Sequence, residues 1–334
     1  MTRSNPPSLH LADVKTRAAR VDGTASASLW NLGDGVALFE IHTFLNLCDE
    51  PVLDLLARVP EIMRREFRAL VIGSEDPRAF SAGASLAVFI EYMAASRWDA
   101  ISRFLARGHD SLLALRYGPF PVVAATHGLT TGGGCELMLH TDAVVTHTDI
   151  RAGFPERWIG IVPGWGGVTQ MLRRCQAHVD DPLAAADRAF DVIARAEVLD
   201  LEAARNAGIL GAQDAIVTDR SLLLASAKQR ALTLAENYLP PATASLIAIG
   251  NRHLPRYDEV CERLAREIPL APAETSACRA LATILCGGNA EPGPTLSERD
   301  VMRLEHDRFM ELIQDPAVLA RMCELRSTGK RPAP

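Results

Sequence analysis

Pro121-Val122-Val123-Ala124-Ala125-Thr126 is a continuous, largely apolar run, and Gly132-Gly133-Gly134-Cys135-Glu136 follows it after a short gap. A short apolar run of this kind reads as a strand buried on both faces, as in a parallel sheet. Consecutive glycines make a poor helix interior or strand, but they let backbone approach a ligand closely. The glutamate stands at the start of an apolar stretch, where the free N–H groups of a helix start gather. Donors beside a carboxylate suit chemistry in which a carbonyl oxygen gains negative charge while a proton moves nearby. Taken alone, the glycine run equally fits a tight turn entering a buried helix, so its surroundings decide.

Upstream, 35–41 reads as a strand, 51–67 as an amphipathic helix and 69–73 as a second buried strand ending in glycine. Phe80-Ser81-Ala82-Gly83-Ala84 makes a small-residue loop, and helical pattern follows over 85–116 in two pieces. Downstream, a helix runs to about His140, then 143–146 reads as a strand. Gly153-Phe154-Pro155-Glu156 comes next, and Pro163-Gly164-Trp165-Gly166-Gly167 should open another helix. Strands alternating with helices predict a layered α/β core. From about Pro182 the strand signals vanish, and 184–195, 201–207, 221–237, 257–267 and 298–312 carry helical periodicity. Pro240-Pro241 and the glycine- and proline-rich 287–294 read as linkers. The expected division is a polar lead-in over 1–30, a core over 31–240 that is α/β to about 180 and then helical, and a helical C-terminal extension over 241–334.

With 48% hydrophobic and 23% charged residues, the composition is that of an ordinary globular protein. A net charge of −6 without blocks of like charge disfavours nucleic acid as a partner. The 7 cysteines are odd in number and scattered without a C-x-x-C pair, which points to reduced thiols and a cytoplasmic protein. Met1–Pro7 is polar, with no apolar signal-peptide core, and no uncharged run approaches the roughly 18 residues of a membrane span. The 9 histidines show no metal-ligand spacing, so no metal site is expected. His127 and His140, which flank the glycine run and its helix, read as solvent-facing or packing residues rather than catalytic ones.

Two glycine-containing loops thus follow buried strands, and in open α/β structures ligands bind where such loops converge. One N–H from each loop would grip a single oxygen from two directions. A phosphate loop fits badly, since neither G-x-x-x-x-G-K-[ST] nor a dinucleotide G-x-G-x-x-G occurs.

The loop 80–84, the run 121–128 (ending His127-Gly128), Gly132-Gly133-Gly134-Cys135-Glu136-Leu137, Gly153-Phe154-Pro155-Glu156 and Ile159-Gly160-Ile161-Val162-Pro163-Gly164-Trp165-Gly166-Gly167 stand in the order and spacing of the crotonase superfamily, which the chain resembles over roughly 30–240. The tail is similar to the crotonase domain of large 3-hydroxyacyl-CoA dehydrogenases, through Phe190-Asp191-Val192-Ile193-Ala194, the stretch 202–208 and Thr328-Gly329-Lys330. No NAD-binding half is present, so the resemblance leaves any dehydrogenase step to a separate partner. It implies a ββα spiral core with an all-helical C-terminal region. It also implies an oxyanion hole from the amides of Ala84 and Gly133, with Glu136 and Glu156 as the acid/base pair of an enoyl-CoA hydratase. Ala82, Gly83, Gly132, Phe154 and Trp165 would line the acyl-CoA site. Trp165 replaces a small residue of the family; its ring either narrows the acyl site or serves as a core anchor.

The chemistry is coherent: hydrating an α,β-unsaturated thioester needs a base for water, a proton for Cα and a clamp on the enolate oxygen. The substrate brings its own coenzyme A, so no metal or redox cofactor is expected, and the resemblance implies a trimer or hexamer. The alternatives are another crotonase-fold reaction (isomerase, hydrolase or C–C lyase) or a non-catalytic acyl-CoA-binding subunit.

Overall fold

The computed structural model describes residues 9–17 and 20–334; the polar opening Met1–Pro7 lies outside the described residues. Their contacts divide the chain into two compact, interleaved units. The first comprises residues up to Ala84, then Asp110–Ala152 and Leu199–Ala242; the second comprises Ser85–His109, Gly153–Val198 and Thr243–Pro334.

The first unit is built on a seven-stranded sheet. In chain order its elements are helix α1 (Leu11–Thr16), strands β1 (Arg20–Gly23), β2 (Ala27–Asn31) and β3 (Val36–Ile41), helix α2 (Glu50–Glu66), and strands β4 (Ala69–Gly73) and β5 (Ala79–Ser81). Helices α3 (Leu86–Ala94) and α4 (Trp98–Arg116) follow, and the chain crosses between units within α4. Then come β6 (Val122–Thr126), β7 (Leu129–Thr131), α5 (Gly133–Leu139), β8 (Ala143–His147) and β9 (Arg151–Gly153). The sheet runs β1-β2-β3-β4-β6-β8 and ends on a strand from further along, Ala215–Val217. Strands β1 to β3 pair antiparallel, and β3, β4, β6, β8 and that last strand pair parallel. A second pairing, β5 with β7, is also parallel.

The remaining elements are α6 (Gly167–Gln176), α7 (Pro182–Arg195), β10 (Val198–Leu199), α8 (Leu201–Asn206), β11 (Ala215–Val217), α9 (Leu223–Ala235), β12 (Ser245–Ile247), α10 (Leu254–Glu267), α11 (Pro272–Leu285), β13 (Thr295–Ser297), α12 (Glu298–Leu312) and α13 (Pro316–Thr328).

Strand alternation sends Val36 and Leu38, Ala69 and Val71, Val123 and Ala125, and Ala143 and Val145 into one core, which α1 and α9 cover with Leu11, Val14, Leu223, Ala227 and Ala231. Each such valine or leucine contributes about 1.5–3 kcal/mol by leaving water. Helix α2 starts where Asp49 Oδ1 accepts the Val52 N–H at 3.1 Å, and it buries Val52, Leu53, Leu56 and Val59 along one face.

The second unit holds helices α6, α7 and α10–α13, the antiparallel pair β12–β13 and an aromatic cluster. In that cluster Phe89 meets Phe104 and Phe309 at 5.5 and 5.6 Å between ring centroids, and Phe104 meets Trp165 at 5.4 Å. Helix α12 begins with a reciprocal cap, Ser297 Oγ accepting the Asp300 N–H while the Asp300 carboxylate accepts the Ser297 N–H.

Two expectations need correction. Residues 20–23 and 27–30, expected within the polar lead-in over 1–30, lie in β1 and β2, because Ala27, Ser28 and Leu29 are buried against β3 despite their mixed polarity. The region after about 180 is rich in helices, but it also supplies the short strands β10 to β13, whose two or three residues each are too few to leave a periodic pattern.

Candidate active site

In the first unit, the loop after β5 and the start of α5 lie against each other. A Cβ on Gly83 would stand 2.9 Å from the Thr131 carbonyl oxygen and 3.0 Å from the Gly133 nitrogen. A Cβ on Gly134 would stand 2.2 Å from the Ser81 carbonyl oxygen. Only glycine permits this approach, which is why the small-residue loop and the glycine run occur together.

The direction of the Ala84 amide is set by its neighbours. The Gly83 carbonyl accepts the Cys48 N–H at 2.8 Å. In a trans peptide the next N–H, that of Ala84, then points the opposite way. The Ala82 N–H is taken by the Leu45 carbonyl at 3.0 Å, and the Gly83 N–H by Ser81 Oγ at 3.2 Å. Among the described residues these bonds use the Ala82 and Gly83 amides and not that of Ala84. Gly133 opens α5, so its N–H has no acceptor within that helix.

Glu136 lies in the first turn of α5 and is buried, at 2% exposure. Its backbone carbonyl is bonded to His140 Nδ1 at 2.7 Å, which makes Nδ1 the protonated nitrogen of that ring. His127, likewise buried, bonds the Asp76 carbonyl through Nε2 at 2.8 Å. Both histidines therefore tie backbone in place. Beneath the loop, the Cys48 thiol lies 4.0 Å from Ser81 Oγ. Burial pushes it up to about 12, and the carboxylates of Asp49 and Glu136 push the same way.

The sequence reading missed Asn46, Ser81 and Cys48. Asn46 is 1% exposed and holds φ +52, and its amide donates to Ser74 Oγ, the Ala79 carbonyl and the Phe80 carbonyl at 2.7, 2.8 and 3.1 Å. Ser81 Oγ donates to the Asn46 carbonyl at 2.8 Å. Asn46 and Ser81 thus clamp the β5 loop from below. The available signal was a polar residue in Phe44-Leu45-Asn46-Leu47 with no surface to face, and it does not resemble a turn signature.

The second unit carries Phe154, Glu156 and Trp165. Phe154 is buried at 1% exposure. Glu156 sits in a 3-10 turn, Pro155–Ile159, closed by Gly160 in the left-handed region. The Ile161 N–H returns to the Glu156 carbonyl at 3.3 Å and the Gly160 N–H to that of Arg157 at 2.8 Å. Trp165 is buried beside Phe104, so close to Gly108 that a Cβ there would stand 2.0 Å from its Nε1. Its loop is held by buried Glu305 of α12, which accepts the Gly166 N–H at 3.2 Å, the Thr169 N–H at 2.7 Å and the Thr169 hydroxyl, at the start of α6. The structure therefore brings Ala82, Gly83 and Ala84 together with Gly132 and Gly133 in one unit, and places Phe154, Glu156 and Trp165 in the other. Among the described residues, no group of His, Cys, Asp and Glu is placed to hold a metal, and no helix is long and apolar enough to cross a membrane.

Parallel strands followed by a glycine-bearing loop and a helix start place the chain among the α/β proteins. The family model described as "Enoyl-CoA hydratase/isomerase" matches residues 35–186, and over that stretch the chain is similar to the crotonase family. More particularly, it is 27% identical over 330 residues to "Probable 3-hydroxyacyl-CoA dehydrogenase" of Bacillus subtilis (strain 168), covering 98% of this chain and 42% of that protein. It is 32% identical over 149 residues to "Putative fatty acid oxidation complex trifunctional enzyme" of Rickettsia felis, covering 45% of this chain and 20% of that one. The chain thus spans less than half the length of these relatives.

Among solved structures, a carnitinyl-CoA dehydratase from Mycobacterium thermoresistibile superposes with a TM-score of 0.65 at 16% identity, covering 91% of this chain and 90% of that one. An enoyl-CoA hydratase from Bacillus halodurans superposes with a TM-score of 0.61 at 15% identity, covering 90% and 100%. At such identities the likeness is one of fold.

Proposed function

We propose that this chain is an enoyl-CoA hydratase, adding water reversibly across the 2,3 double bond of a 2-enoyl-CoA to give the 3-hydroxyacyl-CoA. The observation that carries the reading is the close approach of Gly83 to the Gly133 nitrogen, which leaves no room for a Cβ, beside buried Glu136. The amides of Ala84 and Gly133 are assigned to the thioester oxygen, where charge develops as the enolate forms. Glu136 and Glu156 are assigned the acid/base work: one takes a proton from the attacking water and the other delivers one to Cα. Ala82, Gly83, Gly132, Phe154 and Trp165 are assigned to the walls of the acyl-CoA site.

The reaction is redox-neutral and calls for no cofactor beyond the coenzyme A that the substrate carries. The name of the Bacillus subtilis relative supports a dehydrogenase as the consumer of the product. A cytoplasmic trimer or hexamer completes the proposal.

The test is to follow loss of enoyl-thioester absorbance with crotonyl-CoA and with longer and ring-containing enoyl-CoAs, and to weigh the product. A gain of one water supports hydration. An unchanged mass with a moved double bond assigns an isomerase instead, and no conversion of any substrate refutes the proposal. Glu156→Gln should abolish turnover while acyl-CoA binding persists.

A further inference from the structure

The turn that carries Glu156 is fastened by side chains from the far end of the sequence. Arg157, the next residue, is 4% exposed, with its NH1 3.3 Å from Oε1 of Glu274 and its NH2 donating to the Arg195 carbonyl at 3.1 Å. Glu274, fully buried in the first turn of α11, accepts the Ala271 N–H at 3.0 Å and meets two more guanidiniums. Arg321 NH2 lies 3.3 Å from Oε1, and Arg331 NH2 lies 3.0 Å from Oε2. Arg321 also donates through Nε to the Trp158 carbonyl at 2.8 Å and through NH1 to the Ala333 carbonyl at 2.7 Å. Arg331 donates to the Pro269 carbonyl at 3.0 Å. Where the turn ends, Gly160 has φ +81, and a Cβ there would stand 2.8 Å from Ala273 Cβ and 3.1 Å from Val318 Cγ2. Helices α11 and α13 therefore press directly on the turn.

Three guanidiniums around one buried carboxylate make a poor stabilising device, because each ion gives up hydration that the shared partner cannot fully return. Burial pulls the Arg157 guanidinium below its ordinary value, Glu274 opposes that, and the charges of Arg331 and Arg321 add to it. Such a cluster does define geometry: each guanidinium lies against Glu274 and also donates to a backbone carbonyl, Arg157 to that of Arg195, Arg321 to those of Trp158 and Ala333, and Arg331 to that of Pro269.

We propose that the C-terminal segment, through Arg321, Arg331 and Glu274, sets the position of the 155–159 turn and hence of the Glu156 carboxyl. Arg331 is a positioning residue and touches no reacting atom. The proposal rests on the reading of Glu156 as an acid/base group.

The experiment compares the full chain with Arg331→Ala, Arg331→Lys and Glu156→Gln by amide hydrogen exchange and by steady-state hydration. In Arg331→Ala, exchange at Gly160 and Ile161 should accelerate about tenfold while that of α5 stays unchanged. kcat should fall about tenfold with KM within about twofold. Arg331→Lys, or added guanidinium, should restore part of both.

Exchange needs no turnover, so it judges the clamp separately from the catalytic reading. Inactive Glu156→Gln beside an Arg331→Ala whose turn and kcat are unmoved refutes the clamp alone. Faster exchange at full kcat refutes the link to Glu156, and acceleration spread evenly over all helices marks a merely structural role and refutes the proposal. Full activity in Glu156→Gln overturns the catalytic reading, and the link to Glu156 with it.

Discussion

Replacing Gly83 with alanine probes the close approach on which the proposed oxyanion hole depends. Gly83 sits at φ +96, where an L-residue costs of order 1–3 kcal/mol. Its new Cβ would meet the Thr131 oxygen at 2.9 Å and the Gly133 nitrogen at 3.0 Å, both backbone atoms that cannot swing aside. Relief requires either Gly83 to rotate, which turns the Ala84 amide, or 131–133 to retreat by a few tenths of an ångström, which moves the Gly133 amide. Losing one oxyanion donor outright costs roughly 2.7–4 kcal/mol, or about 10²–10³ in kcat. A partial displacement belongs at the lower end, so kcat should fall about 100-fold. The fold should survive, since a loss of about 1–3 kcal/mol lies within the roughly 5–15 kcal/mol of a typical domain. Hydration of a reactive enoyl-CoA is measured alongside urea unfolding of the same preparation. A folded Gly83→Ala protein with kcat within twofold of the parent would refute the reasoning.

Asn46→Ala removes the amide's bonds to Ser74 Oγ and to the Ala79 and Phe80 carbonyls and leaves alanine at φ +52, so stability should fall by about 2–4 kcal/mol, read as a lower urea midpoint at unchanged slope. Glu305→Gln takes the charge from the bonds to Gly166 and Thr169 at the start of α6 and should cost about 1.5–3 kcal/mol in the same assay. Cys323 is exposed and the other cysteines are buried, with the Cys48 thiol held near 12, so at pH 8 one fast equivalent should react with a thiol reagent in the native protein. Rapid modification of Cys48 would mean that the floor of the β5 loop is open.

Much of this was legible in the sequence, for identifiable reasons. Continuous apolar runs fixed β4 and β6, and helical periodicity marked α12 at its observed bounds. Helix α11 escaped, because Pro-Ala-Glu-Thr-Ser-Ala-Cys-Arg-Ala-Leu-Ala buries mostly small side chains, whose pattern against polar neighbours is faint. Strand β11 escaped because three residues flanked by polar ones gain their pairing from β8, a partner far away in sequence. At the site, the glycines that permit close approach could be read, since glycine declares a backbone need. Asn46 and Ser81 could not, because a polar side chain buried by long-range folding looks like any surface one. Trp165 left two roles open in the sequence, and the structure shows its indole buried beside Phe104.

Strand β1 ends the large sheet, only four residues long, with a register irregularity between Arg20 and Asp22. Beneath it, β2 presents Ala27-Ser28-Leu29-Trp30, a flatter and more apolar stretch whose outward N–H and C=O groups β1 occupies. A short, kinked, charged margin is a bad template for another molecule's strand, whereas a bared β2 would be a good one. This modest ribbon thus gives the sheet a margin poorly suited to pairing with another strand.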